Sequence, residues 1–424
     1  MNILARATPP RSTSDVSSIA IGLLCTTAAL GVAADSLVDD STATLNLRNF
    51  YHNRNFVDPA YPQAKAEEWT QSFIFDLRSG FTQGTVGLGV DVLGLYALKI
   101  DGGQGTAGTQ LLPVHADGSP ADDFGRLGVA LKARYKTTEL KVGEWLSLLP
   151  ILRSDDGRSL PQTFRGAQLT SREIDNLILY TGQMRGNSPR NDASMERMFM
   201  AGRPDASSER FNFAGAEYLF NDNATQVGLW YAQLEDIYQQ RYLNVIHSQP
   251  AGDWTLGVNF GLFVGDEHGA AKAGQLDNKT TSLLLSAKIG GHTVYLGLQR
   301  VAGETGWMRV NGTAGYPLAN DTYNSSYDSA HERSWQLRHD FNFVVLGVPG
   351  LTLMNRYLSG DHVQTSAGRR GKEWGRESEL AYVVQSGPLK DLSLRWRNST
   401  LRRDFSSYDI DENRLIVNYP IKFL

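Results

Sequence analysis

The last segment of the chain, residues 413–423, alternates between apolar and polar side chains. Leu415, Val417, Tyr419, Ile421 and Phe423 occupy every second position, and two basic residues and an asparagine lie between them. In an extended strand such alternation gives one apolar face and one polar face. A closed barrel in a lipid bilayer requires this pattern, because outward side chains meet acyl chains and inward ones meet water. A soluble antiparallel sheet can show it too, so the rest of the chain must distinguish the two.

The first 33 residues have the features of a secretory signal peptide. Arg6 and Arg11 precede an apolar run from Val16 to Val32, which small residues follow. We predict that residues 1–33 are removed and that residues 34–424 form the mature protein; an uncleaved anchor helix is the alternative. Cys25, the only cysteine, lies inside this segment. The mature chain then has no thiol, which fits export to an oxidising compartment.

The composition favours β structure. The chain has 42 glycines, 17 phenylalanines, 17 tyrosines and 8 tryptophans among 424 residues. Glycine exceeds its average share of about 7%, and aromatic residues are enriched in strands. Without residues 1–33 the chain keeps 39 basic and 44 acidic residues, a balance that gives no reason to expect nucleic-acid binding. We therefore predict an all-β protein.

Short segments with period-two alternation recur through the mature chain. They lie at residues 84–92, 127–135, 254–262, 294–298, 335–343, 351–357, 380–384 and 392–396. Many short strands of this kind indicate a barrel or a sandwich.

The connections between these segments alternate in length. Tight turns are predicted at residues 221–223, 290–291, 348–350 and 387–388, and long polar stretches at residues 186–208, 302–331 and 359–375. Short turns at one rim and long extracellular loops at the other are typical of an outer-membrane barrel. Roughly 20 to 22 residues per strand and connection give about 18 strands for residues 34–424, enough for a water-filled lumen. We predict a single antiparallel transmembrane β-barrel domain over that range.

The alternation turns basic side chains toward the lumen. If Leu394 and Trp396 face lipid, then Arg395 and Arg397 face water inside the barrel. The same reasoning points further basic side chains inward: Lys132, Arg134, Arg48, Arg338, Arg356 and Arg414. Inward acids are also expected, namely Asp91, Asp340, Glu377 and Glu379. Two interpretations stay open: the basic residues pair with these acids and solvate the wall, or they form a basic track that binds carboxylates weakly at many points.

A long stretch of mixed charge interrupts the strand pattern at residues 146–170. Its charged and polar residues include Arg153, Ser154, Asp155, Asp156, Arg158 and Arg165. We expect this loop to fold into the lumen and form a constriction; an ordinary surface loop is the alternative.

Several segments resemble the OprD-type (Occ) family of substrate-specific outer-membrane channels. The resemblance covers almost all of the mature chain and rests on residues 80–91 (GFTQGTVGLGVD), 140–144 (LKVGE), 160–166 (LPQTFRG), 234–238 (LEDIY) and 382–388 (YVVQSGP). It implies an 18-stranded barrel in a Gram-negative outer membrane that admits small carboxylate-bearing nutrients.

The resemblance also implies roles for particular residues. The family's basic ladder corresponds here to Arg395, Arg397, Lys132 and Arg134, and also to Arg48, Arg338, Arg356 and Arg414. The stretch 153–166 takes the place of the family's constriction loop. The chain departs from the pattern at its end, where Leu424 follows Phe423. Its length resembles the branch that takes cyclic or aromatic carboxylates such as benzoate and vanillate.

We therefore expect a passive channel for small carboxylates, with no cofactor or metal and no catalysis. The expected partners are the solutes and the lipid and lipopolysaccharide of the outer membrane, with the barrel a monomer or a weak homotrimer. A basic-amino-acid channel or a general porin is the alternative within this class. An adhesin or receptor that works through its long loops, or a barrel enzyme, is the alternative outside it. A metal site at residues 266–268 is disfavoured, because three neighbours in one loop do not converge easily.

Overall fold

The computed structural model describes residues 37–365 and 367–424. Within them, 18 antiparallel strands form one sheet in which each strand pairs with its neighbours in sequence. In chain order, β1 to β18 are Thr42–Phe56, Lys65–Arg78, Gly87–Asp101, Asp123–Tyr135, Thr138–Trp145, Thr163–Ile174, Leu177–Ser188, Phe211–Phe220, Thr225–Leu234, Tyr238–Ala251, Trp254–Glu267, Asp277–Ile289, His292–Ala302, Arg333–Asn342, Leu351–Gln364, Arg370–Val383, Ser393–Arg403 and Ile410–Lys422.

The sheet closes on itself because β1 also pairs with β18. The register runs from Thr44 opposite Lys422 to Phe56 opposite Ile410. The predicted barrel of about 18 strands is thus confirmed. Closure leaves the barrel sheet without a free edge, as the interior of a bilayer requires.

The two faces of each strand meet different surroundings, as the alternation predicted. In β18, Leu415 is 49% exposed on the outside, whereas Ile416 is 6% exposed and faces the interior. Leucines of other strands, such as Leu127 and Leu337, are likewise exposed on the outside. In water this apolar belt would be unfavourable, whereas in a bilayer it contacts acyl chains. No helix in residues 37–365 and 367–424 has the length and apolarity needed to cross a membrane.

The connections differ between the two rims. The rim that holds both ends of the barrel sheet has short turns, for example at residues 136–137, 175–176 and 290–291, and one 3-10 helix, Phe343–Leu346. The opposite rim carries the long connections 102–122, 146–162, 189–210 and 303–332. Two small hairpins lie in these loops, Leu148–Leu149 with Leu152–Arg153 and Met198–Met200 with Arg203–Ser208.

Two predicted loop boundaries are wrong. The stretch 359–375 is mostly strand, since β15 continues to Gln364 and β16 begins at Arg370. The loop predicted to reach residue 170 ends earlier, because β6 begins at Thr163. Apolar residues do not alternate regularly in these strand ends, so the ladder continues where the apolar pattern stops. The predicted signal peptide, residues 1–33, lies outside the described residues.

Loop side chains fill part of the lumen. Leu149, Leu152, Met198 and Met308 are buried against the inner wall in one apolar cluster. A second cluster joins Leu160 to the inner face of the first strands. The remaining interior is polar and charged, and it holds the candidate site.

Candidate functional site

Six predicted basic residues share one side of the inner wall. The strands β14, β15, β17, β18 and β1 carry them, and they are Arg338, Arg356, Arg395, Arg397, Arg414 and Arg48. Arg338 lies directly opposite Arg356 across two neighbouring strands. Arg397 lies opposite Arg414 in the same way. Like charges placed so closely repel each other, so they need compensating acids or an anion between them.

Acids compensate most of these arginines. Arg338 contacts Asp340 at 2.6 Å, and Arg414 contacts Glu412 at 2.5 Å. Further ion pairs join Arg356 to Glu377 and Arg397 to Glu379. The wall is therefore a lattice of alternating charges, as the pairing interpretation expected.

Arg395 differs from its neighbours. It is exposed in the lumen, and within the described residues it has no ion pair. It lies two positions closer than Arg397 to the rim with the short turns. Among the six arginines of this wall, Arg395 can therefore bind a passing anion without the loss of an existing ion pair.

An aromatic side chain from the long loop 303–332 covers the arginine wall. The Tyr323 ring centre lies 4.3 Å from the Arg397 guanidinium carbon, 5.2 Å from that of Arg356 and 5.4 Å from that of Arg414. Its hydroxyl donates to Glu379 at 3.1 Å. Burial, above all, raises the pKa of Tyr323 to about 12, so the hydroxyl stays neutral at neutral pH. Tyr323 was missed in the sequence, because loops carry no strand periodicity.

A buried carboxyl pair holds the same loop at the extracellular end. Glu332 is fully buried and accepts from the backbone N–H of Ser329 at 3.0 Å. Glu373 of β16 accepts from Ser325 at 3.0 Å and from Arg403 at 2.7 Å. Burial, and then the neighbouring charge of Glu373, raises the pKa of Glu332 well above its usual 4.5. Glu332 therefore keeps its proton at neutral pH.

The loop 146–162 folds into the barrel and reaches the inner face of β1. Arg48 donates to Asp156 at 2.7 Å and to the backbone carbonyl of Arg158 at 2.8 Å. Arg158 is 5% exposed and donates through Nε to the carbonyl of Thr109 at 2.8 Å. The hydroxyls of Thr70 and Ser159 lie 2.8 Å apart. The loop thus crosses the lumen instead of lying on the surface.

Other loops fix the remaining predicted residues of this segment. The Arg153 guanidinium lies 4.5 Å from the Tyr316 ring centre. Ser154 accepts from the backbone N–H of Ser147 at 2.9 Å. Asp155 forms an ion pair with Arg190. Ser154 and Asp155 are therefore engaged in holding the loop's shape.

The prediction that Arg165 belongs to the constriction loop is wrong. The sequence placed it in the constriction loop, but it is the third residue of β6 and is exposed on the outer face. Its neighbour Phe164 is fully buried on the inner face. Because successive strand residues alternate, Arg165 cannot reach the lumen.

Lys132 and Arg134 lie on a separate part of the wall. Both are on β4, which three strands separate from β18. Lys132 contacts Asp91 at 2.7 Å, and Lys141 contacts the same carboxylate at 2.5 Å. The Arg134 guanidinium lies 4.0 Å from the Phe81 ring centre. The predicted ladder is thus two clusters, not one column.

Further inward arginines were missed, although their even spacing from the predicted ones could have revealed them; Arg126 and Arg54 are two of them. Arg126 lies six residues before Lys132 on β4 and donates to the carbonyls of Pro189 at 3.0 Å and Asp192 at 2.6 Å. Arg54 lies six residues after Arg48 on β1 and contacts Glu412 at 2.7 Å. Both were overlooked because they lie near strand ends.

A cavity of about 360 Å³ opens on the extracellular side of the loop 146–162. We call it the vestibule; basic and aromatic side chains line it, including Arg54, Arg158, Arg190, Tyr61, Tyr323 and Tyr408. No aspartate or glutamate of the described chain is among its lining residues. Burial, and then the charges of Arg190, Arg414 and Arg54, lowers the pKa of Arg158 well below its usual value. Two of the lining arginines are paired with acids behind the lining, Arg54 with Glu412 and Arg190 with Asp155, whereas Arg158 has no ion pair among the described residues.

A second cavity of about 560 Å³ lies on the other side of the same loop. Its lining is mixed in charge and includes Lys132, Lys141, Asp91 and Glu144. Both cavities include residues of the loop 146–162, which lies between the extracellular vestibule and this inner chamber. The arrangement is that of a pore with a basic entry above a narrow point.

Comparison with known proteins identifies this architecture. The model of the outer membrane porins of the OprD family matches residues 35–423. The chain belongs to the OprD family. Members of this family are channels of the outer membrane and not enzymes, and this one is an outer-membrane porin of the substrate-specific kind.

Close relatives come from Pseudomonas. The porin-like protein GalP of Pseudomonas putida is 63% identical, over 93% of this chain and 95% of its own length. A crystal structure of a BenF-like porin from Pseudomonas fluorescens Pf-5 is 66% identical, with a TM-score of 0.91 over 91% of this chain and all of that chain.

Two related OprD-family structures contain carboxylates. OccK2 (OpdF) of Pseudomonas aeruginosa, in complex with glucuronate, is 60% identical, with a TM-score of 0.85 over 92% of this chain and 100% of that chain. OpdK of the same species, with vanillate, is 48% identical, with a TM-score of 0.87 over 91% of this chain and 100% of that chain.

Proposed function

We propose that this OprD-family porin admits small carboxylates by passive diffusion and favours aromatic or cyclic ones such as benzoate. The observation that carries the proposal is the vestibule, which combines three guanidinium groups with aromatic rings. Among the described residues, one of the three guanidinium groups, that of Arg158, has no ion pair. Guanidinium groups bind carboxylates through paired hydrogen bonds. Aromatic side chains provide a surface on which a planar ring can pack.

Geometry suggests the order in which the solute meets these groups. A carboxylate enters the vestibule, passes the narrow point beside Arg158 and Tyr323, and then meets the exposed guanidinium of Arg395 toward the periplasm. Most other arginines on the wall are already paired with acids, which keeps each anion site weak. Conduction requires such weak, repeated binding, since one strong site would trap the solute. Here the loop 146–162 acts as the constriction.

The relatives support a carboxylate but differ in the acid bound. OpdK with vanillate favours an aromatic acid, whereas the OccK2 complex with glucuronate favours a cyclic sugar acid. The aromatic lining of the vestibule, with Phe56 and Tyr61 stacked at 4.0 Å between ring centres, favours the aromatic acid here. A monomer or weak homotrimer stays a prediction.

Planar bilayers test the proposal through the double variant Arg395→Ala with Arg397→Ala. It removes the unpaired guanidinium and uncovers the Glu379 carboxylate, so we expect anion selectivity and benzoate flux both to fall. Arg165→Ala is the control, because that arginine faces the outside of the barrel. Unchanged selectivity and benzoate flux in the double variant would contradict the proposal. Faster passage of free arginine through the double variant than through wild type would support the proposal.

A further inference from the structure

The outer surface of the barrel has a basic pocket at its extracellular end that no solute path uses. Arg300 of β13 and Arg333 of β14 lie directly opposite each other in the register, and both are exposed on the outward face. Together with Arg370 and other residues they line a cavity of about 390 Å³. Two like charges opposite each other destabilise a sheet unless something compensates them.

Two acids lie beside this pair but form no ion pair with it. Asp361 is opposite Arg333 in the register, and Glu304 lines the cavity. Each contacts a histidine instead: Glu304 contacts His331 at 3.1 Å, and Asp361 contacts His362 at 2.5 Å. Arg300, Arg333 and Arg370 form no ion pair in the described part of the chain. The inner wall, by contrast, pairs most of its arginines with acids. An external anion is therefore the natural partner of this outer pair.

An apolar groove lies directly below the basic pocket. Leu298 and Trp335 face each other two positions toward the bilayer and are 44% and 43% exposed. They line a groove of about 670 Å³ that shares Arg300 and Arg333 with the pocket above it and includes Asp361 at the level of Arg333. The surface thus presents guanidinium groups at the height of lipid headgroups and an apolar furrow at the height of acyl chains. An amphiphile with an anionic head matches both parts.

We propose that Arg300 and Arg333, with Arg370, bind a phosphate group of a phosphorylated glycolipid in the outer leaflet, the lipid A portion of lipopolysaccharide. The long loops place this pocket at the extracellular rim, where the outer leaflet of a Gram-negative membrane consists largely of this lipid. Arginine is well suited because its planar fork matches phosphate oxygens. An acyl chain would occupy the groove beside Leu298 and Trp335.

The opposite side of the same rim lacks this feature. The ends of β3 and β4 carry the exposed acids Asp101 and Asp123, and Asp122 lies beside them. Asp122 contacts Lys99 at 2.5 Å, and the other two acids would repel a phosphate there. These two sides of the rim therefore differ in charge.

The test is native mass spectrometry of the full-length protein in detergent with bisphosphorylated lipid A. We expect the double variant Arg300→Gln with Arg333→Gln to raise the apparent Kd about ten- to hundredfold, since each arginine loses charge-assisted hydrogen bonds. The matched control is Arg165→Gln with Arg185→Gln, which removes two exposed arginines of neighbouring strands that line neither cavity. The control should stay within about twofold of wild type.

Three results would overturn the proposal. They are equal binding by the double variant and the control, equal affinity of wild type for lipid A and for its dephosphorylated form, and displacement of lipid A by low millimolar inorganic phosphate. Both variants must keep the heat-modifiable electrophoretic mobility of a folded barrel. Benzoate conductance should be unchanged in the double variant, so this test does not depend on the proposed solute.

Discussion

Replacing the buried arginine of the constriction loop tests the role of the vestibule. In Arg158→Gln one positive charge disappears beside the proposed path, while the loop keeps its length. A carboxylate about 4 Å from a guanidinium gains about 1 kcal/mol in water and about 4 kcal/mol at the effective dielectric constant of a protein surface. Arg158 lines the vestibule at 5% exposure, so the value should fall between these limits. We expect benzoate affinity to drop at least about fivefold.

The assay is a single-channel recording in which benzoate is added to the extracellular chamber. Half-occupancy is read from the benzoate concentration that halves the chloride current, and selectivity from the zero-current potential in a salt gradient. Arg158→Lys is the matched control. Like Arg158→Gln it loses the guanidinium Nε contact with Thr109, but it keeps the positive charge. Equal benzoate affinity in Arg158→Gln and Arg158→Lys would refute the electrostatic reasoning, since the charge would then be irrelevant.

Three further predictions concern the inner wall and its covering loop. Glu412→Gln leaves the buried Arg54 and Arg414 without their carboxylate and should destabilise the barrel by about 3 kcal/mol. The folded electrophoretic mobility should then be lost at a lower temperature than in wild type. The pKa of Glu332 is raised when the loop 303–332 is held against the wall, so this contact is strongest below about pH 4.5 and weakens as pH rises. Current steps caused by movement of the loop should therefore become more frequent between pH 5 and 9, and Glu332→Gln should abolish that trend. Tyr323→Ala should raise single-channel conductance and reduce the preference for benzoate over glucuronate, whereas Tyr323→Phe, which keeps the ring, should change both much less.

Alternation in the sequence predicted the barrel and the side of the wall on which most basic residues lie. Arg338, Arg356, Arg397 and Arg414 are inward because their neighbours Leu337, Tyr357, Trp396 and Leu415 face outward. This inference succeeds where one face meets lipid, since only there does period-two apolar patterning constrain the sequence.

The same reasoning fails where both faces meet water. Arg165 lies near the extracellular end of β6, and its segment reads as a loop because its few apolar residues do not alternate regularly with the polar ones. The strand ends at residues 359–364 and 370–375 were missed for the same reason. Backbone hydrogen bonds continue the ladder there without a regular apolar pattern.

Contacts between distant loops could not be predicted from local pattern. Tyr323 lies among three arginines that belong to three different strands, and nothing in its own segment indicates this. The vestibule likewise combines Tyr61, Arg158, Arg190 and Tyr408 from separate loops. Such sites depend on how the loops pack inside a closed wall, which only the fold determines.

The most direct test of the central claim, that a basic and aromatic lumen selects carboxylates, is liposome swelling with the wild-type protein. Benzoate, vanillate, glucuronate, arginine and a neutral sugar of similar size would be compared at equal osmolarity. The account predicts that benzoate and vanillate enter fastest, glucuronate more slowly, the sugar more slowly still, and arginine least. Entry rates that follow molecular size alone, or arginine entering faster than benzoate, would contradict it.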